Sequence, residues 1–221
     1  DSLANTASIL ILPAPISAPV SGTAIPTTST DCGVGGDSDS DGICNSWESA
    51  GGTTPLTIND YGSYKYSNDG TTCPRLIDDP TPSAGYPTGT NAADPTTYNP
   101  PTCPKSTVKD IFYEIDYMPN HKPNYLALLD VINAFKNAPV SSAGCTTCPG
   151  PITMHFKINE QISTHDNFIP WSVAAGGVNP LGGFDQIKKL YYGSPSDRVG
   201  TPDVVAAKLL SERQVMRYIL F

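Results

Sequence analysis

The chain has 221 residues, of which 38% are hydrophobic and 15% charged, and its formal net charge is −8. Because both shares lie below ordinary globular usage, a core can form only where the apolar residues are concentrated. An acidic chain without a basic patch excludes nucleic acid as the expected partner. No apolar run approaches the roughly 18 residues of a membrane span, so we expect none.

The net negative charge is confined to the first half of the chain. Residues 1–107 hold 11 acidic and 3 basic side chains, whereas residues 108–221 hold 10 of each. Clustered carboxylates with few lysines favour a metal cation as the partner. The composition predicts three regions: an N-terminal strand with a proline-rich tether (1–31), an acidic, cysteine-containing, cation-binding region (32–107) and an α/β domain (108–221).

The first region combines a short apolar run with a series of prolines. Residues 9–12 favour a strand, and the prolines at positions 13, 15, 19 and 26 prevent a continuing helix or central strand. Because residues 9–12 are apolar on both faces of a strand, they need a two-sided groove. We therefore predict a strand over residues 3–12, followed by a stiff, extended tether.

The second region contains a segment with the spacing of a calcium loop. Residues 37–48 read DSDSDGICNSWE, which fills every ligand position of such a loop and places Gly42 at its sharp turn. Glycines precede the loop where a paired EF-hand has a helix. We therefore predict a single loop that holds a structural calcium ion, followed by a short helix around residues 45–50. The predicted ligands are Asp37, Asp39, Asp41, the carbonyl of Ile43, Asn45 and Glu48.

Six cysteines indicate disulfides formed outside the cytosol. A four-cysteine zinc site has the wrong spacing, because neither Cys73 nor Cys103 belongs to a CxxC pair. The sequence cannot choose among the possible connectivities. Our interpretation pairs nearest neighbours, and we expect an extracellular or cell-surface protein. The pairs in this interpretation are Cys32–Cys44, Cys73–Cys103 and Cys145–Cys148.

The third region begins with a strand, a helix and a second strand. Residues 108–118 and 151–159 are β-prone, and residues 125–135 between them place apolar side chains on one helical face. This order predicts a βαβ unit and an α/β fold class, with α+β as the alternative. The predicted helical face consists of Leu126, Leu129, Ile132 and Phe135.

The end of the chain predicts two helices and a strand. A helix is expected over residues 184–192, and Thr201-Pro202-Asp203 is a good start for a second helix over residues 203–216. Residues 217–221 are predicted as a short apolar strand. A sheet that ends on such a strand has an open edge that invites strand addition.

Several polar groups in the third region are of types that support catalysis, but none forms a catalytic motif. Glu114 and Asp116 share one strand face, where paired carboxylates perform acid–base chemistry, bind a second cation or serve as structural acids. The CxxC segment at 145–148 precedes Pro-Gly-Pro, with no helix to lower a thiol pKa. We therefore expect no enzymatic activity. Three histidines lack zinc-site spacing: His121, His155 and His165.

The order of these segments resembles secreted bacterial and archaeal proteins with a zincin-like metalloprotease domain. The resemblance rests on the DxDxDGxxxxWE loop, KDIFYEIDYM (109–118), LDVINAF (129–135), ITMHFKINE (152–160) and RQVMRYILF (213–221). It implies a related α/β fold that carries a calcium loop. Those proteases contain HExxH, which occurs nowhere in these 221 residues, so peptidase activity is not implied and no catalytic residue is carried over.

An apolar N-terminal strand and a sheet with an open edge also resemble extracellular filament subunits joined by donated strands. Because donor and acceptor surfaces differ, repeated addition builds a head-to-tail homopolymer. We predict a secreted structural subunit, stabilised by calcium and disulfides, that associates with itself through residues 3–12. Two alternatives stay open: an inactive or truncated metalloprotease-like domain, and a monomeric calcium-dependent surface binding module.

Overall fold

A computed structural model of the protein describes residues 32, 36–48, 57–58, 64–65, 73–91, 93–94, 96–138, 152–173 and 180–221. The predicted strand over residues 3–12 and the predicted Cys145–Cys148 pair lie outside the described residues. Within the described ranges, no helix is both long enough and apolar enough to cross a membrane.

A sheet of four parallel strands forms the centre of the structure, and two further strands pair separately. The strands in the described part of the chain are β1 (Thr57–Ile58), β2 (Tyr64–Lys65), β3 (Ile77–Asp78), β4 (Asp110–Tyr117), β5 (Thr153–Gln161) and β6 (Met216–Leu220). β1 and β2 are antiparallel, whereas the parallel sheet has the order β3-β5-β4-β6. Together with three helices, this sheet confirms the prediction of a mixed α/β fold.

The helix between β4 and β5, α1 (Tyr125–Lys136), completes the predicted βαβ unit. It begins after Asn124, whose side-chain oxygen accepts hydrogen bonds from two backbone N–H groups of the first turn. The predicted apolar face is wrong at Leu126, which is 50% exposed, and Leu128 is buried instead. The observed face has the spacing i, i+3, i+4 and i+7 from Tyr125. Its members are Tyr125, Leu128, Leu129 and Ile132, with Phe135 partly buried beside them.

Two more helices connect β5 to the last strand of the sheet. α2 (Phe184–Tyr191) agrees with the predicted helix, and α3 (Pro202–Arg213) begins as predicted but ends earlier. The reason is that Val215 and Met216 are buried in an apolar cluster on the sheet. Met216 begins β6 and pairs with Phe112 of β4, so the chain is already extended there. The predicted terminal strand is thus present and begins at Met216.

The two faces of β4 differ in polarity because side chains alternate along a strand. On one face, Tyr113, Ile115 and Tyr117 pack with α1 in the main core. On the opposite face Phe112 is the apolar residue, and the remaining side chains are acidic and buried. These acids, which define the polar face of the sheet, are Asp110, Glu114 and Asp116.

A strand from the acidic region belongs to the same sheet. β3 pairs with β5, and Ile77 in β3 is fully buried. The Asn99 side-chain oxygen accepts the Ile77 N–H at 2.8 Å, and its amide nitrogen donates to the carbonyls of Ile77 and Pro87 at 2.9 Å each. Asn99 therefore fixes a loop of the acidic region against the sheet.

Among the described residues, two cysteine pairs lie at disulfide distance. The Cα atoms of Cys32 and Cys44 are 5.2 Å apart, and those of Cys73 and Cys103 are 4.8 Å apart. Both pairs agree with the nearest-neighbour interpretation. Because disulfides persist in oxidising compartments, the two pairs favour an extracellular environment.

Candidate metal centre

Side chains of the predicted calcium loop hydrogen-bond to the loop's own backbone. The two carboxylate oxygens of Asp37 accept the N–H of Ser40 at 2.7 Å and the N–H of Gly42 at 3.0 Å. Gly42 has φ +94°, in the region that only glycine adopts without strain. Asn45 accepts the N–H of Ser38 at 3.0 Å. These contacts curl the loop so that its carboxylates lie close to one another.

The loop is anchored to the start of β4 by polar contacts. Lys109 donates from Nζ to the carbonyl of Ser40 at 2.8 Å and also contacts the carbonyl of Asp39. The backbone N–H of Asp110 donates to the Asp41 carboxylate at 2.7 Å. The loop therefore sits at the N-terminal end of β4, on the polar face of the sheet.

Apolar packing completes this attachment. Ile43, Cys44 and Trp47 of the loop are buried in a cluster with Phe112 of β4 and Tyr192 after α2. The same loop residues therefore pack within the loop and cover this part of the sheet. Folding of the loop is thus coupled to packing on the sheet.

Five carboxylates meet in the space between the loop and β4. One group consists of Asp37, Asp39 and Asp41, and a second joins Asp41 to Glu48 and Asp110. Within each group, one possible ligand atom from each residue lies within 4.8 Å of the others. Such a set of oxygens can hold a metal ion. We call Asp37, Asp39, Asp41, Glu48 and Asp110 the loop site.

Two members of the loop site are buried without hydrogen-bond donors. Asp39 is fully buried and Glu48 is 9% exposed. None of their four carboxylate oxygens accepts a hydrogen bond from a described residue. A buried carboxylate without a hydrogen-bond donor is costly. A cation bound by these oxygens would remove that cost.

The electrostatics of the loop site lead to the same conclusion. Burial, then the neighbouring carboxylates, raises the pKa of Asp39 to about 6 and that of Glu48 to about 10. Burial also raises the pKa of Asp41 to about 8, although the N–H of Asp110 lowers it. Without a cation, the loop site therefore holds protons at neutral pH, which a bound metal ion would displace.

The sequence did not identify Asp110 as a member of this site. Asp110 stands 69 residues after Asp41, so no local spacing rule connects them. Its side chain is oriented by His155, whose Nε2 lies 2.7 Å from Oδ1, and by the N–H of Lys105, which donates to Oδ2 at 3.1 Å. His155 is fully buried and stacks on Phe112 with ring centroids 4.2 Å apart. A histidine behind a carboxylate is the kind of outer-shell support that metal ligands commonly have.

Two of the predicted ligands have other contacts in this structure. The N–H of Ile43 donates to the Asp41 carboxylate at 2.7 Å, and its side chain is buried. The amide of Asn45 donates to the Ser38 hydroxyl at 2.7 Å. Ligation by the Ile43 carbonyl and by Asn45 stays a prediction. The described part of the predicted helix, residues 45–48, forms a turn in which the Trp47 N–H donates to the Cys44 carbonyl at 2.8 Å, and residues 49–50 lie outside the described residues.

Glu114 and Asp116 belong to a second acidic group, which has donors. The backbone N–H of Gly193 donates to both oxygens of Glu114 at 2.9 and 3.1 Å. Asn159 donates to Glu114 at 3.1 Å and to Asp116 at 3.0 Å. Lys157 forms an ion pair with Glu212 at 2.9 Å. We call Glu114, Asp116, Lys157, Asn159 and Glu212 the inner network.

Burial also raises the pKa values of acids in the inner network. It raises the pKa of Asp116 to about 6, against the lowering effect of the Tyr218 hydroxyl, and it raises the pKa of Glu114 well above its usual value. Protein donors and a lysine contact every acid of the inner network, although Asp116 Oδ2 accepts no hydrogen bond from a described residue. This is the arrangement of structural acids. The other two histidines of the sequence analysis, His121 and His165, lie outside the loop site. Their Nε2 atoms are 2.9 Å apart.

No protein-family model, no curated protein and no solved structure matches this chain. The resemblance to zincin-like proteins and to filament subunits therefore stays a prediction. What the chain does has to be argued from the geometry of its sites.

Proposed function

We propose that this protein is a secreted, non-enzymatic structural subunit whose loop site binds calcium and holds the loop on the sheet. The observation that carries the proposal is the burial of the Asp39 and Glu48 carboxylates without donors. The loop site has the chemistry of a binding centre, whereas the inner network has that of a structural ion-pair network.

The donor set favours calcium among the common cations. All five side chains of the loop site are carboxylates, and hard oxygen ligands suit calcium, magnesium and manganese, whereas zinc and copper prefer nitrogen or sulfur. Calcium accepts the irregular cage of a loop plus a strand, whereas magnesium demands near-ideal octahedral geometry and keeps several waters. The spacing of residues 37–48 and the turn at Gly42 match a calcium loop.

Terbium luminescence tests the site directly. Terbium occupies oxygen-ligand calcium sites and emits when a nearby indole is excited, and Trp47 precedes Glu48 in the chain. We expect saturable emission at one ion per chain, displaced by calcium but not by an equal concentration of magnesium.

The variant Glu48→Gln keeps the size of the side chain and removes its charge, so it should abolish this emission. The matched control is Asp130→Asn, an exposed acid on α1, which should leave the emission unchanged. Equal emission from wild type and Glu48→Gln would contradict the proposal.

A specific feature of the sheet favours assembly by strand donation. β6 is the last strand in the sheet order and pairs with β4 alone among the described strands. Its residues contribute to both apolar clusters, Ile219 on one face and Met216 on the other. A strand that is apolar on both faces, as residues 9–12 are, would suit the position beside β6. We therefore propose that residues 3–12 add to this edge in another copy of the chain.

Sedimentation of the full chain and of a variant lacking residues 1–12 tests this assembly. We expect the full chain to form long polymers in calcium and the shortened chain to stay monomeric. A peptide of residues 1–15 should bind the shortened chain. A compact full-length monomer at high concentration would favour the monomeric binding module instead.

A further inference from the structure

Two histidines that are far apart in the sequence meet at the surface. The Nε2 atoms of His121 and His165 lie 2.9 Å apart, whereas the centroids of their rings are 4.8 Å apart. The rings therefore approach each other through the edges that carry Nε2. Both residues are exposed, so the space beside the two nitrogens is open to ions from solvent.

The fold holds this pair at the carboxyl end of the parallel sheet. His121 lies shortly after β4, and its N–H donates to the carbonyl of Met118 at 2.9 Å. His165 lies shortly after β5, and the N–H of the next residue, Asp166, donates to the sulfur of Met118 at 3.4 Å. Met118 thus touches both segments that carry the histidines. The region beyond the carboxyl ends of strands is where open parallel sheets commonly bind ligands.

We propose that the Nε2 atoms of His121 and His165 form a copper site at this surface. Imidazole nitrogen suits copper, nickel and zinc, and copper(II) binds most tightly in this series. The site takes a transition metal that binds imidazole nitrogen, which is a different class of ion from the one expected at the loop site.

The spacing of the two nitrogens matches a tetragonal ion. With metal–imidazole bonds of about 2.0–2.1 Å, two ligands at a right angle place their nitrogens about 2.9 Å apart. A tetrahedral angle places them about 3.4 Å apart. The observed 2.9 Å therefore matches the nitrogen spacing expected of two adjacent copper(II) ligands.

The copper site is independent of the loop site. Asp110 begins β4 and His121 lies beyond its end, and a strand of eight residues is about 26 Å long. The donors are also chemically different, since the loop site offers carboxylates and the histidine pair offers nitrogen. Calcium should therefore not compete for the histidine pair, and loss of the loop site should leave copper binding intact.

Titration of the calcium-saturated full chain with copper(II), followed by calorimetry and by electron paramagnetic resonance, tests the proposal. We expect one copper per chain and a spectrum with nitrogen ligands. Each of His121→Asn and His165→Asn should lower the affinity at least about tenfold, the loss seen even for outer-shell changes. The double variant should bind copper more weakly than either single one, since each single variant keeps one imidazole ligand.

The matched control is Asn167→Ala, an exposed change two residues after His165, which should leave copper binding unchanged. Glu48→Gln should do the same, which separates this site from the loop site. In the wild type, copper should protect both histidines from diethylpyrocarbonate, a test that needs no variant. Equal copper affinity of the wild type and the double histidine variant, or modification unaffected by copper, would show that the pair is only a hydrogen bond between imidazoles.

Discussion

The loop site and the inner network lie on the same face of the sheet, and both collect buried acids from distant parts of the chain. They differ in what surrounds the oxygens. In the inner network, Gly193, Asn159 and Lys157 supply N–H donors and a positive charge. In the loop site, the oxygens of Asp39 and Glu48 have no such donors among the described residues. On the proposed function, it is the supply of hydrogen-bond donors, and not the number of acids, that separates a binding centre from a structural network.

The largest expected effect is in the inner network. Burial lowers the pKa of Lys157, but the charges of Glu212 and Glu114 more than compensate and raise it above its ordinary value. Lys157→Met should therefore leave buried acids without a counter-charge and lower the free energy of unfolding by about 3–5 kcal/mol. Urea unfolding should give the same loss in calcium and in EDTA. A loss that calcium restores would mean that the inner network also binds a cation.

The second prediction concerns pH. In the calcium-free protein, the folded state has raised pKa values at Asp39, Asp41 and Glu48, so it holds protons that the unfolded chain releases above about pH 4. The loop site's contribution to stability should therefore be greatest near pH 4 and fall as pH rises toward about 8.

Calcium should remove the share of this pH dependence that comes from the loop site, because bound carboxylates stay ionised. A smaller share should remain from the inner network, where the pKa of Asp116 is also raised to about 6. Thermal unfolding between about pH 5 and 8, with and without calcium, checks both parts. Calcium-free protein that gains stability as pH rises would contradict the assignment.

The third prediction is a loss of calcium affinity in Asp110→Asn. Asp110 lies within ligand distance of Asp41 and Glu48, and His155 holds its orientation. We expect the dissociation constant for calcium to rise about tenfold or more, as measured by competition with a calcium indicator. Asp130→Asn is again the control. An unchanged dissociation constant would restrict the site to the loop itself.

The smallest expected effect is that of Asp116→Asn on calcium binding. Asp116 already receives hydrogen bonds from Asn159 and from the N–H of Glu160 at 3.1 Å. The dissociation constant for calcium should therefore stay within about twofold of the wild type, although stability changes. A large rise in the dissociation constant for calcium would show that the loop site and the inner network are energetically coupled. It would contradict the distinction between them.

Local patterns of the sequence predicted local structure well. The 12-residue spacing placed Asp37, Asp39, Asp41 and Glu48 in one cluster, because such a loop closes within a single stretch of chain. The βαβ unit was predictable for the same reason, because the hydrophobic pattern changes from strand to helix and back to strand within about 50 residues. The ends of helices were predicted less accurately. α3 ends at Arg213, before its predicted end, because Met216 already pairs with β4 in the sheet.

Contacts made only by the tertiary fold could not be predicted. Asp110 reaches the loop site because β4 starts beside the loop, and His121 meets His165 because β4 and β5 are neighbouring parallel strands. No spacing in the sequence predicts either of these two contacts. Leu126 shows the same limit within a helix, since its exposure depends on how α1 is rotated against the sheet.

The central claim is that a calcium ion in the loop site stabilises the fold, and calorimetric melting tests it most directly. An ion that binds only the folded state adds about 2.7 kcal/mol when its free concentration is 100 times its dissociation constant. The wild-type protein should therefore melt several degrees higher in calcium than in EDTA, whereas Glu48→Gln should melt at the same temperature in both. Identical melting temperatures for the wild type in calcium and in EDTA would contradict the claim.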